Sequence, residues 1–104
     1  MSSDTVSDIP VLVATKFRVP HHVVYRSFPS ETVMLNLNTG RYHGLNAIAG
    51  SMLDALEKAS CLREAAAAVA EAYGQSPAVV EEDMCDLCRA LLDRGLIELD
   101  APAG

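Results

Sequence analysis

Val33-Met34-Leu35-Asn36-Leu37-Asn38-Thr39-Gly40-Arg41-Tyr42-His43-Gly44-Leu45-Asn46 is the stretch that decides the architecture of this chain. Val33, Leu35 and Leu37 share one face at a period of two, which marks a strand. Asn38-Thr39-Gly40 then supplies a hairpin loop, with Gly40 free to take a positive φ. Arg41-Tyr42-His43-Gly44-Leu45 returns as a second strand, and Asn46 is a good N-cap for a helix beginning just after it. A hairpin that runs into a helix cap predicts an antiparallel sheet followed by helices.

Upstream, Val23, Val24 and Tyr25 favour another strand, and Phe28-Pro29-Ser30-Glu31 supplies its turn, giving a three-stranded antiparallel meander. Downstream, Ile48, Met52 and Leu56 recur at four-residue spacing and predict a first helix. Ser60 is expected to cap a second, with Leu62, Ala66, Val69 and Tyr73 on its inward face and Gly74 at its end. Ser76-Pro77 opens a third, because Pro at the first helical position loses no needed N–H. Val80, Met84, Leu87 and Leu91 mark its apolar side, and Gly95 closes it before the extended Leu96-Ile97-Glu98-Leu99. The predicted class is α+β, a three-stranded antiparallel sheet followed by three helices and a small wing, in the order of a winged helix-turn-helix. Residues 16–99 form the expected domain, residues 1–15 a flexible lead-in and residues 100–104 a disordered tail.

The chain has 104 residues, half of them hydrophobic, which fits one folded domain. No window approaches the roughly 18 uninterrupted apolar residues of a membrane span. Met1 to Asp8 has no Lys or Arg to begin a signal peptide, so a cytoplasmic location is expected. A net charge of -6 with eight Lys and Arg residues argues against a nucleic-acid partner. The helix-turn-helix order raises a transcriptional regulator as an alternative. Its recognition helix would carry Glu81, Glu82, Asp83, Asp86 and Asp93 against Arg89 and Arg94, a surplus that repels phosphates. An acidic surface instead tolerates or attracts a basic peptide.

Cys85-x-x-Cys88 is the one familiar chemical motif. It lies about two turns inside the third helix among Glu81, Glu82, Asp83 and Asp86, where thiolate is disfavoured, and two cysteines fall short of a structural zinc site. The expected role is packing, with a thiol or metal protein as the lesser alternative. Cys61 completes three cysteines, which suit reduced thiols better than a disulfide framework. His21 and His22 fall in a loop and His43 on a strand, so no metal and no cofactor is expected. No nucleophile elbow or phosphate-binding glycine loop is present, and the expectation is a protein that is not an enzyme.

The strand Arg41 to Leu45 carries more information. In a three-stranded meander an outer strand leaves N–H and C=O groups unpaired, so its edge is either covered or used to accept another chain. The segment Val11 to Val19 could cover it. Otherwise a peptide could add there as a strand, and proline at His43 would then remove an edge N–H. The same edge could pair with its own copy to make a homodimer.

The quoted hairpin, with its apolar strand, polar turn with Gly, aromatic strand and Leu-Asn, resembles the PqqD family. So does the closing Leu91-Leu92-Asp93-Arg94-Gly95-Leu96-Ile97, and the likeness spans roughly Val23 to Leu99. The resemblance implies a RiPP recognition element, a domain that binds the leader of a ribosomally made precursor peptide and presents the peptide to a modifying enzyme. Carried over by position, it implies a receiving strand of Arg41, Tyr42, His43, Gly44 and Leu45. It also implies a groove wall of Val80, Asp83, Met84 and Leu87, where Asp83 could meet a leader Lys or Arg. Gly40-Arg41-Tyr42-His43-Gly44-Leu45-Asn46 looks most like free-standing members from lasso-peptide pathways, whose partner is a leader peptidase; a radical SAM enzyme is the alternative partner. The chain departs from many relatives in placing Met52 and Leu53 where a Trp is often found, and in carrying Cys85 and Cys88.

Overall fold

The computed structural model describes residues 11–100. Residues 11–13 are helical, and after them come, among the described residues, β1 (Phe17–Arg18), β2 (Val23–Ser27), β3 (Glu31–Asn36), β4 (Arg41–Asn46), α1 (Ala47–Lys58), α2 (Leu62–Tyr73), α3 (Pro77–Asp93) and β5 (Glu98–Leu99). β2, β3 and β4 form one antiparallel sheet in that order, and β1 pairs antiparallel with β5. The α+β architecture predicted from the sequence is therefore the one observed, with the wing built as a two-stranded clasp between the two ends of the domain.

Local chemistry explains the boundaries. Asn36 Oδ1 accepts from the backbone N–H of Asn38 (2.9 Å) and Thr39 (3.3 Å), and Gly40 takes a φ of 74° to turn the chain back. The Asn46 side chain caps α1 by accepting from Ala49 N at 2.8 Å. Gly74 at φ 65° ends α2, and Gly95 at φ 70° comes just after the end of α3. Both are left-handed conformations that tolerate glycine best. Ser76 and Pro77 open α3, although the Ser76 side chain makes no capping bond. The second helix starts one residue later than expected. Cys61, not Ser60, holds its N-cap, while Ser60 N bonds to Glu64 Oε1 at 3.2 Å.

The core lies between the sheet and the helices. It is built from Met34, Leu53, Leu56, Leu62, Met84, Leu91 and Leu96, all fully or almost fully buried. The period of two groups Val33, Leu35 and Leu37 without saying which face is covered: on β3 the buried face is Thr32, Met34 and Asn36, so Val33, Leu35 and Leu37 form the outer face. The two polar residues are accommodated because each bonds locally, Thr32 Oγ1 with Ser27 Oγ at 3.0 Å and Asn36 with its own turn. Tyr73, expected inside, is exposed, and its hydroxyl bonds to Ser51 Oγ at 2.8 Å.

Packing also starts earlier than the expected boundary. Val13 and Phe17 belong to the core, and Thr15 O accepts from Leu62 N at 3.0 Å. Lys16 Nζ donates to the carbonyls of Leu56 (3.2 Å) and Glu57 (2.7 Å) in the last turn of α1, and to that of Ala59 (2.7 Å), its C-cap, none of which has a helical partner. At the other end, Asp100 N bonds to Lys16 O at 2.8 Å. Residues 11–15 and Asp100 are thus held by the domain, while the rest of the expected lead-in and tail lies outside the described residues.

Candidate functional site

β4 is an outer strand, and the backbone pattern fixes which of its groups face outward. Phe28 and Glu31 exchange both backbone bonds (2.7 and 3.4 Å), and Leu37 N bonds to His22 O at 2.6 Å. In an antiparallel ladder bonded pairs alternate, so the odd residues of β3 bond to β2 and the even ones bond to β4. With Thr32 opposite Leu45, Met34 opposite His43 and Asn36 opposite Arg41, those three β4 residues are committed to β3. The outward N–H and C=O groups belong to Tyr42 and Gly44. His43 is therefore a pairing residue of the sheet, and the expectation that proline there would remove an edge N–H is corrected: the edge donors sit one residue to either side.

The segment that could have covered this edge does not do so. Phe17 and Arg18 pair with Leu99 and Glu98, and Arg18 Nε reaches Glu98 Oε2 at 2.7 Å. Of the two readings of the edge, cover by Val11 to Val19 is excluded by this pairing.

Side chains alternate across β4. His43 and Leu45 share the helix-facing side with Met34 and Thr32, and Leu45 is buried there. Tyr42 and Gly44 share the outer side with Leu35 and Val33. Gly44 leaves the strand open, because a Cβ there would meet only Glu31 Oε1 at 3.8 Å.

Beyond the end of β4, where the chain enters α1, Ile48, Met52, Val69, Tyr73, Gln75, Val79, Val80 and Asp83 enclose a pocket of ≈ 170 Å³. It lies where α1, the end of α2 and the start of α3 converge. Of the four residues expected to form a groove wall, Val80 and Asp83 line this pocket. Leu87 is half-buried on the same helix, and Met84 is wholly buried, so Met84 belongs to the core rather than to a wall. Val79, at 53% exposure, takes the place expected for Met84, since Val79, Asp83 and Leu87 share one face of α3 at four-residue spacing. Ile48, on the four-residue spacing that marks α1, is 52% exposed and lines the pocket.

The outer face of the sheet is apolar as well. Register aligns Val24, Leu35 and Tyr42 in one row and Arg26, Val33 and Gly44 in the next. Phe28 joins them around a shallow cavity of ≈ 520 Å³. Val24, Phe28, Leu37 and Tyr42 are each about half exposed or more. The period of two marks Val33, Leu35 and Leu37 as one face, but Met34 on the opposite face is also apolar, and period alone does not say which side the helices cover.

The thiols sit apart from this surface. Cys85 and Cys88 are both fully buried in α3. Burial pushes the Cys88 thiol up to about 12 and raises that of Cys85, where Arg89 opposes the shift and Asp86, Glu81 and Glu82 add to it. Raised thiols are poor nucleophiles and poor metal ligands. Among the described residues no three His, Cys, Asp or Glu side chains converge as a metal site, and no helix is long and apolar enough to cross a membrane.

Residues 31–97 match the family model described as coenzyme PQQ synthesis protein D, PqqD. Among solved structures the chain is similar to TbiB1 in complex with the TbiA(beta) leader peptide. The identity is 31% and the TM-score 0.70, over 84% of this chain and 99% of that one. It also shares the fold of lasso peptide synthetase B1 complexed with the leader peptide, at 20% identity and a TM-score of 0.71, over 80% of this chain and 98% of that one. No curated protein sequence matches.

Proposed function

The chain belongs to the PqqD family, and from that membership we propose that it is a non-catalytic adaptor that takes up the leader of a ribosomally made precursor peptide as an added strand on β4. The observation that carries this reading is the open edge at Tyr42 and Gly44, on a fold whose 31%-identical solved relative is in complex with a leader peptide. Main-chain bonds to Tyr42 and Gly44 would supply affinity, and alternate leader side chains would meet the two faces of the sheet. The polar side chains lining the nearby pocket are those of Asp83, Gln75 and Tyr73.

Delivery to a maturation enzyme completes the reading, and Gly40-Arg41-Tyr42-His43-Gly44-Leu45-Asn46 favours the lasso-peptide branch with its leader peptidase over a radical SAM partner. The row Val24, Leu35 and Tyr42 is the surface assigned to that enzyme. It is an apolar face bordering the strand the leader would occupy, so a partner seated there touches adaptor and peptide together. In the absence of a leader, the same β4 edge offers a second copy a place to pair.

The test is fluorescence-polarisation binding of the leader from the precursor encoded beside this chain, with the TbiA(beta) leader as reference. Wild type should bind, and Gly44→Pro should lose binding while remaining folded. Binding that survives Gly44→Pro, or no binding of either leader to wild type, would refute strand addition on β4.

A further inference from the structure

β2 is the other outer strand of the sheet, with β3 as its one neighbour. The bonds of Leu37 to His22 and of Phe28 to Glu31 place Val24 and Arg26 in the bonded pairs with β3. The outward backbone groups of β2 therefore belong to Tyr25 and Ser27. Val23 N turns back to Pro20 O at 3.0 Å, but no described backbone group meets the outward N–H of Tyr25 or of Ser27. β1 and β5 pair with each other and leave this edge alone. Among the described residues the sheet thus has two open edges, and a leader added on β4 fills only one of them.

The face beside the β2 edge is apolar with a single cation. Val24, Arg26 and Phe28 line the shallow cavity over the sheet together with Val33, Leu35 and Tyr42. Tyr25 lines it too, although its side chain lies on the helix-facing side and its hydroxyl bonds to Glu57. The hollow therefore reaches the strand edge. Most other cations are engaged: Lys16 holds carbonyls of α1, Arg18 pairs with Glu98, Lys58 with Asp54, Arg63 with Glu81 and Arg89 with Asp86. Arg26 is exposed and has no ion pair or hydrogen bond among the described residues.

A strand laid on β2 sets one of its residues directly opposite Arg26, where an opposite charge stabilises and a like charge destabilises. A second copy of this chain supplies no such charge. Neither β2 nor β4 contains a carboxylate, and two copies would each bring a net charge of -6. The edge therefore suits a different protein. Resting on the adaptor reading above, we propose that β2 receives a strand of the maturation enzyme, one that places a carboxylate opposite Arg26 and apolar side chains opposite Val24 and Phe28. Leader and enzyme then occupy opposite edges of one sheet, both bordering the row Val24, Leu35 and Tyr42, and they bind without competing.

The experiment measures binding of the maturation enzyme encoded beside this chain to the leader-loaded protein, for wild type, Ser27→Pro and Arg26→Glu. Proline at position 27 removes an outward N–H and leaves the bonds between β2 and β3 in place. Thermal melts establish that both variants are folded. Each should bind the enzyme about tenfold more weakly than wild type, while fluorescence polarisation shows leader binding unchanged. The Tyr25 and Ser27 amides should exchange with deuterium quickly in the leader complex and slow down when the enzyme is added. Unchanged enzyme affinity in either folded variant overturns the inference and leaves the adaptor reading intact. A dimer that Ser27→Pro dissolves, with enzyme binding unaffected, assigns the edge to a second copy instead. An enzyme that does not bind the wild-type complex overturns this inference together with delivery, whereas leader binding, read separately, decides the adaptor reading.

Discussion

Gly50 of α1 crosses Thr32 of β3 so closely that a Cβ on the glycine would overlap the threonine hydroxyl and come within 2.9 Å of the threonine Cβ. The helix can lie this near the sheet only because position 50 has no side chain. Gly50→Ala gains helix propensity of up to about 1 kcal/mol, but it pushes α1 off β3, and overpacking of this kind costs about 1–3 kcal/mol. A net loss in thermal stability is expected. Thr32→Ala in the same background should recover part of it, which a double-mutant cycle of melting curves would measure.

Tyr25 and Glu57 tie β2 to the end of α1 through a 2.6 Å hydrogen bond, and Glu57 also accepts from Val19 N at 3.3 Å. Tyr25→Phe should cost about 1 kcal/mol. Burial, then the bond to Glu57 and its charge, raise the Tyr25 phenol above its ordinary value of 10.0. A folded-state value above the unfolded one means that the stabilisation is fully present below about pH 10 and is lost as pH rises further. Alkaline unfolding curves of wild type should therefore fall more steeply above pH 10 than those of Tyr25→Phe.

Proline at His43 and proline at Gly44 should separate folding from binding. His43 is paired with Met34 within the sheet, so His43→Pro leaves a backbone carbonyl unpaired and should destabilise the protein by about 1–3 kcal/mol. The Gly44 N–H points to the edge, and Gly44→Pro should melt closer to wild type. Equal melting temperatures for the two variants would contradict the alternation of bonded pairs along β3 and β4.

Iodoacetamide should label Cys61, which is half-buried, well before Cys85 or Cys88, which are fully buried. Cys88 holds its proton to about 12 when folded, against an ordinary 9.0, so its stabilising contribution is whole below about pH 9 and fades as pH rises toward 12. Mass spectrometry of timed labelling at pH 8 checks the order. Replacing Cys85 and Cys88 by Ser should lower stability through unsatisfied hydroxyls but leave leader affinity unchanged in the folded fraction.

The elements that rest on local chemistry were readable from the sequence. Gly40, Asn46, Pro77 and Gly95 each fix a turn or a helix end through their own bonds or torsions, and a single sequence carries that information. The burial of β3 was not readable, because its covered face carries two polar residues, Thr32 and Asn36, beside Met34, while the more apolar face of Val33, Leu35 and Leu37 is the outer one. Ile48 and Tyr73 fit the helical period and yet stay exposed, at the pocket that α1, the end of α2 and the start of α3 line together. Asp83 could be named from the resemblance, whereas the companion residues Ile48, Met52, Val69 and Val79 are brought to it only by tertiary packing. The identity of the edge donors needed the ladder phase, which depends on the turn at Phe28 and Glu31.

The clasp between Phe17 and Leu99 has a consequence for how the domain can be carried. Partners across an antiparallel pair lie only about 5 Å apart, so the first and last strands of the domain lie side by side, with residues 11–15 packed ahead of them. A host protein that carries this unit in a surface loop would have to include residues 11–15 with it, because Val13 belongs to the core. The β4 edge would then travel with it as a transplantable docking arm.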